Sequence, residues 1–526
     1  MSILVLALLT AAPYVLAFEP FSLPLLGWLA PLPWAMLAAL RTSRRRWLAS
    51  GYGAGVLIFL VGCSWLANTH WTLLLAVALV AAWYFVLMLA LLTRIRRLGL
   101  PFALTLPSVW VAQEWLRQAF PLRGFPWLLL GYSQHPFLYL VQLSDLTGVL
   151  GVSALMASFS GALFDVVLAW RTQAALRRPV IVLAIAVLAI AGSVGYGWQR
   201  VRRYQPSGTG PPLLLVQANI PQELKSRGLD AREVLRRHVE ITRQALAASQ
   251  APAPIVIWSE TMFPIRLPVA EPHADPELTD FVKGNFGSRG AWFLCGVETF
   301  AGAGPAARLY NSVVLFSPQG ERKALYHKAI LVPGGEYIPL IDYLPAADRI
   351  RAWVRGFAGF LPSLQGGAGP ELMQVPFGGA ASAFGVVICY ENIYGGYYRQ
   401  FVDRGAQFMV NVSNEAWFKT SAEMDQMMGI AVFRAAETKR SLARATNTGI
   451  TAGLDPVGRA VVLIAQGRDR AVAGSLSFTP PLCDERTVYV RYGDWLPLVA
   501  SVATTLLVIM SWFSRQVVTG EMQRDL

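Results

Sequence analysis

The first 200 residues alternate long apolar runs with short polar breaks. Seven runs approach the roughly 20 mostly apolar residues that a membrane-spanning helix needs. They cover residues 2–18, 23–40, 47–67, 72–92, 101–120, 148–169 and 179–198. An eighth, "WLPLVASVATTLLVIMSWF" at 495–513, carries no charge at all. The first run has no basic flank before it and is followed by further spans, so it reads as a retained helix and not as a cleaved signal. Arginines follow the second run (Arg41, Arg44, Arg45, Arg46), the fourth (Arg94, Arg96, Arg97) and the sixth (Arg171, Arg177, Arg178), whereas "FEPFSLP" and "NTH" carry none. Even-numbered exits are therefore expected on the cytoplasmic side. Arg200, Arg202 and Arg203 after the seventh run break the rule, but they lead into a long segment, and long domains translocate largely regardless of charge. The pattern predicts residues 204–494 outside the cytoplasm and both termini inside.

Between the last two apolar runs the period changes. Short apolar stretches ("APIVIWSE", "AWFLCGVE", "LYNSVVLF", "AFGVVICYE", "QFMVNVSN") alternate with amphipathic ones such as "DAREVLRRHVEITRQALAAS" and "AEMDQMMGIAVFRAAETKR". Strands and helices alternating in this way predict an α/β domain. The expected organisation is a seven-helix membrane domain at 1–203, an α/β domain at 204–494, and a last helix with a cytoplasmic tail at 495–526.

Composition agrees with a membrane protein. Hydrophobic residues make up 54% of the 526, charged residues only 15%, and the mean hydropathy is +0.44, beyond what an ordinary soluble domain carries. The formal charge of +13 would suit nucleic acid, but no basic stripe with interleaved aromatics accompanies it, so nucleic acid is not an expected partner. The four cysteines (Cys63, Cys295, Cys389, Cys483) are widely spaced in no metal-ligand pattern, and neither a metal nor another cofactor is expected.

One strand end draws attention because "GVVICYENIY" (385–394) ends an apolar run on a thiol beside Tyr390 and Glu391. Taken alone, a strand-end cysteine reads as a small buried hydrophobe. A thiol becomes a nucleophile when a base takes its proton or a cation holds the thiolate. "APIVIWSETMFP" sets Glu260 after one apolar run, and "LYHKAILVPGGEYIP" sets Lys328 between apolar flanks, in a chain with only six lysines. Singly, each also reads as a surface residue. Glu336 and Glu391 read as supports that orient Lys328, or as solvated loop residues. Glu114 and Arg117, at i and i+3, read as a local helix pair.

The order Glu260, Lys328, Cys389 resembles the nitrilase superfamily, which implies an αββα sandwich with a glutamate, a lysine and a cysteine as its catalytic set. The words "VQANIPQELK", "WSETMFP", "YHKAILVPGGEYIP", "CYEN", "NVSNEAWF" and "RATNTGIT", with "GFPWLLLGYSQ" and "DLTGVLGVS" in the first half, resemble the bacterial apolipoprotein N-acyltransferase family over nearly the whole chain. Ser226 stands where that family tends to have tryptophan, and Glu415 where aspartate is expected. The resemblance implies transfer of an acyl chain from a phospholipid to the α-amino group of a diacylglyceryl-modified N-terminal cysteine of an apolipoprotein, at the outer face of a bacterial inner membrane. It implies Glu260 as general base, Cys389 as thioester-forming nucleophile, and Lys328 with the backbone at Tyr390 as oxyanion donors. Trp127, Trp353, Phe357, Phe360, Asn414 and Trp417 are the expected substrate contacts. Trp353, Phe357, Phe360 and Leu361 belong to an apolar, glycine-flanked loop suited to excluding water beside a bilayer. A membrane-tethered amidohydrolase is the alternative, and a transporter or scaffold with an inactive outer domain a further one.

Overall fold

The structure is a computed structural model that describes residues 2–40, 43–222, 231–248, 255–270, 276–304, 307–343, 345–358 and 363–514, of which 276, 277, 342 and 353–358 by backbone alone. It divides into two compact units: residues 1–204, 421–438 and 486–526, and residues 205–420 with 439–485.

The first unit is helical. Helices lie at every apolar run: Ile3–Leu16, Leu32–Ala39, Arg44–Gly62, Trp71–Ile95, Phe102–Ala119, Val149–Arg171, Arg177–Arg203 and Trp495–Phe513. Among the described residues, four of them are long and apolar enough to cross a membrane: Trp71–Leu98, Val149–Arg171, Arg177–Arg203 and Trp495–Phe513. The expected second span is broken. A 3₁₀ turn at Pro24–Trp28 precedes a helix of 8 residues with Pro31 at its N-cap, because the prolines at 24, 31 and 33 lack the N–H that a continuous helix requires. Apolar side chains stay exposed on the spans, including Leu188 at 69% and Ile185 at 59%, a surface that only lipid or a partner would favour.

Helix Ala422–Thr438 departs from the expected organisation. It lies in the sequence of the α/β domain, yet its residues join the helical unit. Gln426 accepts the indole N–H groups of Trp65 (3.0 Å) and Trp127 (2.6 Å) on one oxygen and donates to the carbonyls of Glu19 (3.1 Å) and Gly62 (3.0 Å). Arg434 pairs with Glu437 at 2.7 Å and donates to the Tyr132 hydroxyl, and Glu437 accepts the Val149 N–H at 2.8 Å. Nearly every residue of this helix is buried, which is why its amphipathic pattern is shallow. Glu114 and Arg117 are also more than a local pair. Arg117 donates to the carbonyls of Trp127 (2.9 Å) and Leu128 (3.1 Å), and Glu114 accepts from Trp110 Nε1 (3.1 Å) and the Leu130 N–H (2.8 Å). Together they pin the "GFPWLLLGYSQ" segment.

Apart from a two-residue ladder of Gly208–Thr209 with Pro481–Leu482, the second unit is built on two sheets. Its strands are β1 (Leu213–Gln217), β2 (Ile255–Pro268), β3 (Trp292–Ala301), β4 (Arg308–Phe316), β5 (Arg322–His327), β6 (Leu372–Phe377), β7 (Ala380–Ile388), β8 (Phe408–Ser413), β9 (Ser441–Thr446), β10 (Ala452–Leu454), β11 (Ala460–Val462) and β12 (Gly474–Phe478). One sheet of six has the order β12-β1-β2-β3-β4-β5 and the other β11-β10-β9-β8-β7-β6. β1, β2 and β3 run parallel, as do β7, β8 and β9, and these strands, covered on both faces, are the continuous apolar runs of the sequence. The sheets face each other through β9 against β1 and β2, where Gln217 Oε1 accepts the hydroxyls of Thr446 (2.8 Å) and Thr451 (2.6 Å). Helices Ala231–Ala248 and Pro276–Asn285 cover the outside of the first sheet around Trp258, Phe286 and Phe293, and helix Gly395–Asp403 packs on β7. This is the helix–sheet–sheet–helix sandwich expected. Glu260, inside β2 and not at its end as expected, belongs to this unit with Lys328, Cys389 and Asn414, which follow β5, β7 and β8.

Candidate active site

Glu260 sits inside β2, where the pairing with β3 slips between Trp258 and Phe263 and Thr261 takes a φ of +52°. Such a bulge re-aims the side chain it carries. Gly296 on β3 makes room for it, since a Cβ there would come within 2.6 Å of the Glu260 Cα. Lys328 follows β5 directly and is held by its N–H to the Asn311 carbonyl of β4 at 2.8 Å. Its ammonium is 1% exposed, lies 2.9 Å from Glu336 Oε1 and 3.5 Å from Glu260 Oε1. Asn311 Nδ2 donates to the same two oxygens, at 2.7 Å to Glu260 and 3.0 Å to Glu336. The second oxygens are also used: Glu260 Oε2 accepts the Asn414 N–H (2.9 Å) and Glu336 Oε2 the Val332 N–H (2.8 Å). Burial alone would discharge Lys328, but Glu336, Glu260 and the Cys389 sulfur outweigh it and hold its pKa above the ordinary lysine value. It stays an ammonium.

Cys389 is the first residue of a 3₁₀ turn, Cys389–Ile393, at the end of β7, and its φ is +50°. A non-glycine residue in the left-handed region costs about 1–3 kcal/mol, and such residues cluster at functional sites. Glu391 holds the turn. It is fully buried and accepts the Ile388 N–H (2.8 Å) on one oxygen, the N–H groups of Ala329 (2.7 Å) and Ile330 (3.1 Å) on the other, and the Tyr326 hydroxyl on both (2.8 Å). One carboxylate thus ties the cysteine's turn to the segment after Lys328. Burial pushes Glu391 up to about 7, against the pull of these N–H groups and of Lys328. By contrast, burial alone drives the Cys295 thiol well up, which leaves it inert.

The other expected positions fall differently. Tyr390 is buried, its hydroxyl accepting from Tyr394 at 3.0 Å. Asn414 was expected to face substrate. It is 2% exposed, and its side chain is occupied by Asn447 (3.0 Å), the Ala416 N–H (3.4 Å) and Gln222 (3.4 Å), so it supports Glu260 through its backbone. Trp127 is likewise buried, in the helical unit, with its indole N–H on Gln426. Trp417, in the turn Glu415–Phe418, is 38% exposed. The expected apolar loop is a helix over Ala347–Ala358; Trp353 and Phe357 lie on it with undescribed side chains, and Phe360 and Leu361 lie outside the described residues, as does Ser226. Sequence reasoning passed over Asn311, Tyr326 and Arg444. Asn311 had a signal, as the polar residue in the apolar run "LYNSVVLF". Among the described residues no cluster of His, Cys, Asp and Glu has the makings of a metal site.

A buried glutamate and lysine joined by a shared asparagine thus lie in one sandwich with a half-buried thiol in a left-handed conformation. Comparison with known proteins places both halves of the chain. The family model described as apolipoprotein N-acyltransferase N-terminal domain matches residues 10–162, and that described as carbon-nitrogen hydrolase matches residues 215–477. The apolipoprotein N-acyltransferase of Pseudomonas putida is 30% identical over 532 aligned positions, covering 95% of each chain. That of Geobacter metallireducens is 28% identical over 501, covering 93% of this chain and 91% of its own. Among solved structures, an amidase from Nesterenkonia sp. is 17% identical and superposes with a TM-score of 0.36, covering 52% of this chain and 91% of its own. With both halves matched in order and relatives aligned nearly end to end, the chain belongs to the apolipoprotein N-acyltransferase family and is an acyltransferase with a nitrilase-type domain.

Proposed function

We propose that the chain transfers a fatty acyl group from a membrane phospholipid to the α-amino group of a diacylglyceryl-modified N-terminal cysteine of apolipoproteins, in two half-reactions through a thioester on Cys389. The observation that carries the reading is the buried Glu260–Asn311–Lys328 cluster with the partly buried Glu336 on its edge. In the first half-reaction Glu260 takes the Cys389 thiol proton, the sulfur attacks the ester carbonyl, and the tetrahedral oxyanion is met by the Lys328 ammonium and by backbone N–H at the Cys389–Tyr390 turn. Collapse expels the lysophospholipid alkoxide, which receives the proton from Glu260. In the second, Glu260 takes a proton from the attacking amine, the C–N bond forms, and the Cys389 thiolate leaves and is reprotonated. The intermediate is useful because a thioester is a better acyl donor to an amine than an oxygen ester is, so one difficult step becomes two easier ones.

Glu336 keeps Lys328 charged and aimed, and Glu391 fixes the cysteine's turn. The site residues, the phospholipid and apolipoprotein partners, and the placement of 204–494 on the periplasmic side of an inner membrane form one reading. Intact-mass analysis of the purified protein after incubation with phospholipid tests it: an acyl adduct is expected on Cys389 and none on a Cys389→Ala protein. An adduct elsewhere, or hydrolysis of small amides at a rate exceeding acyl transfer, would overturn it. Reporter fusions at position 300 test the topology, which a cytoplasmic signal would refute.

A further inference from the structure

In the cysteine's sheet, two strands away from β7, lies a buried ion pair that the proposed mechanism does not use. The parallel register aligns Val387 of β7 with Asn411 of β8 and Asn411 with Arg444 of β9. The three residues form one row across adjacent strands, about 10 Å long by strand spacing. Arg444 and Glu415 pair with both side chains wholly buried. Arg444 Nη1 donates to Asn411 Oδ1 at 2.7 Å, and Asn411 Nδ2 donates to the Val387 carbonyl at 3.2 Å, two residues before Cys389. The space for this pair is specific, because a Cβ on Gly449 would lie 1.6 Å from Glu415 Oε2. A buried ion pair gains little stability over apolar residues of the same volume. Its presence in a row that ends behind the strained thiol therefore points to a task other than stability.

We propose that Arg444 is a positioning residue for Cys389, acting through Asn411 to fix the end of β7 so that the cysteine keeps its left-handed conformation and its aim. The Cys389 sulfur and Arg444 also feel each other's field: burial pulls the guanidinium down and the cysteine's charge acts in the opposite direction. Arg444 is thus a second buried cation, besides Lys328, that a thiolate at Cys389 senses. Also charged or titratable around the same turn are Lys328, Glu260, Glu336, Glu391 and the phenols of Tyr326, Tyr390 and Tyr394, and Glu415 offsets part of the Arg444 charge.

The inference rests on the thioester reading above. Its test is the double variant Arg444→Met/Glu415→Gln, which removes the pair as a unit and leaves no lone buried charge, checked for fold by thermal unfolding in detergent. The expected result is a folded protein in which kcat for acyl transfer falls about tenfold or more while KM for phospholipid stays within about twofold. Alkylation of Cys389 by iodoacetamide should slow by roughly three- to tenfold at pH 7, its pH midpoint moving up by up to about one unit. A purely structural strut would leave the alkylation profile of a folded variant unmoved, and that result overturns the inference. Should the double variant fail to fold, Arg444→Lys decides: the charge remains but the planar fork that reaches Glu415 and Asn411 together is lost. A tenfold loss of kcat supports the role, and parent kcat refutes it. If the unmodified protein itself forms no acyl adduct on Cys389, the thioester reading fails; if it does and the variants match it, only the inference about Arg444 fails.

Discussion

Replacing Glu336 with glutamine changes one atom, and the structure says what that atom does. Glu336 Oε1 accepts from Lys328 (2.9 Å) and Asn311 (3.0 Å), and Oε2 from the Val332 N–H (2.8 Å). All three partners are donors, so both oxygens must accept. A glutamine has one oxygen and one NH₂. If the oxygen faces Lys328 and Asn311, the NH₂ meets the Val332 N–H, donor against donor; flipped, it leaves the ammonium facing a donor. Either way a buried donor loses its acceptor, at about 1–3 kcal/mol, and Lys328 is left with Glu260 as its one carboxylate, which draws the ammonium onto the base. With about 2 kcal/mol lost from the transition state, Glu336→Gln should slow acylation roughly thirtyfold. The assay is single-turnover formation of the acyl-enzyme from phospholipid, followed by intact mass, with thermal unfolding to show that the protein is folded. Acylation within about twofold of the parent would mean that Glu336 is a loop carboxylate with no part in holding Lys328.

Three further outcomes are expected. Cys389→Ala and Cys389→Ser should both abolish lipid-to-lipoprotein transfer while Cys63→Ala, Cys295→Ala and Cys483→Ala retain it, and a Cys63→Ala protein as inactive as Cys389→Ala would undo the choice of thiol. Glu391, with a folded value of about 7 against 4.5 ordinarily, binds a proton between those pH values that the unfolded chain does not, so stability should fall by roughly 3 kcal/mol as pH rises from 4.5 to 7 and change no further above it. Denaturation at pH 5 and 8 should show this slope in the parent and its loss in Glu391→Gln; equal slopes would count against a raised value. Gln426→Leu strands two indole N–H groups and two carbonyls and should destabilise the helical unit by several kcal/mol, read as a lower unfolding temperature, whereas an unchanged one would deny the glutamine its role.

What could be read from the sequence follows the range of the interaction that decides it. Apolar runs report burial locally, so eight helical runs and the strands carrying Glu260 and Cys389 stood out. The prolines at 24, 31 and 33 break the second run, which its apolar length alone does not show. Hydropathy could not tell which face of Ala422–Thr438 is covered, since Gln426, Arg434 and Glu437 look like solvent-facing positions until their partners, hundreds of residues away, are in place. The same holds for Asn414, whose side chain is occupied by Asn447 on another strand end. Arg444 and Glu415 could not be read as partners because pairing across a sheet leaves no mark on spacing along the chain. Glu260 and Lys328 were legible as ionisable groups in apolar words, although Glu260 lies within β2 and not at its end, whereas the asparagine between them at 311 needed the β4 register to matter.

The path of the chain through Ala422–Thr438 bears on how this protein can be divided. β8 and β9 are neighbours in one sheet, and the helix that joins them has its buried partners in Trp65, Trp127, Tyr132 and Val149. A gene fragment spanning 205–485 would carry that helix without the residues that cover it, and a fragment ending at 204 would lack a wall of its own core. No single cut yields two self-sufficient pieces. A soluble version of the catalytic sandwich would need the crossover replaced by a short polar linker or a helix redesigned to face water, and exchange of the sandwich between relatives would have to keep residues 421–438 with the recipient.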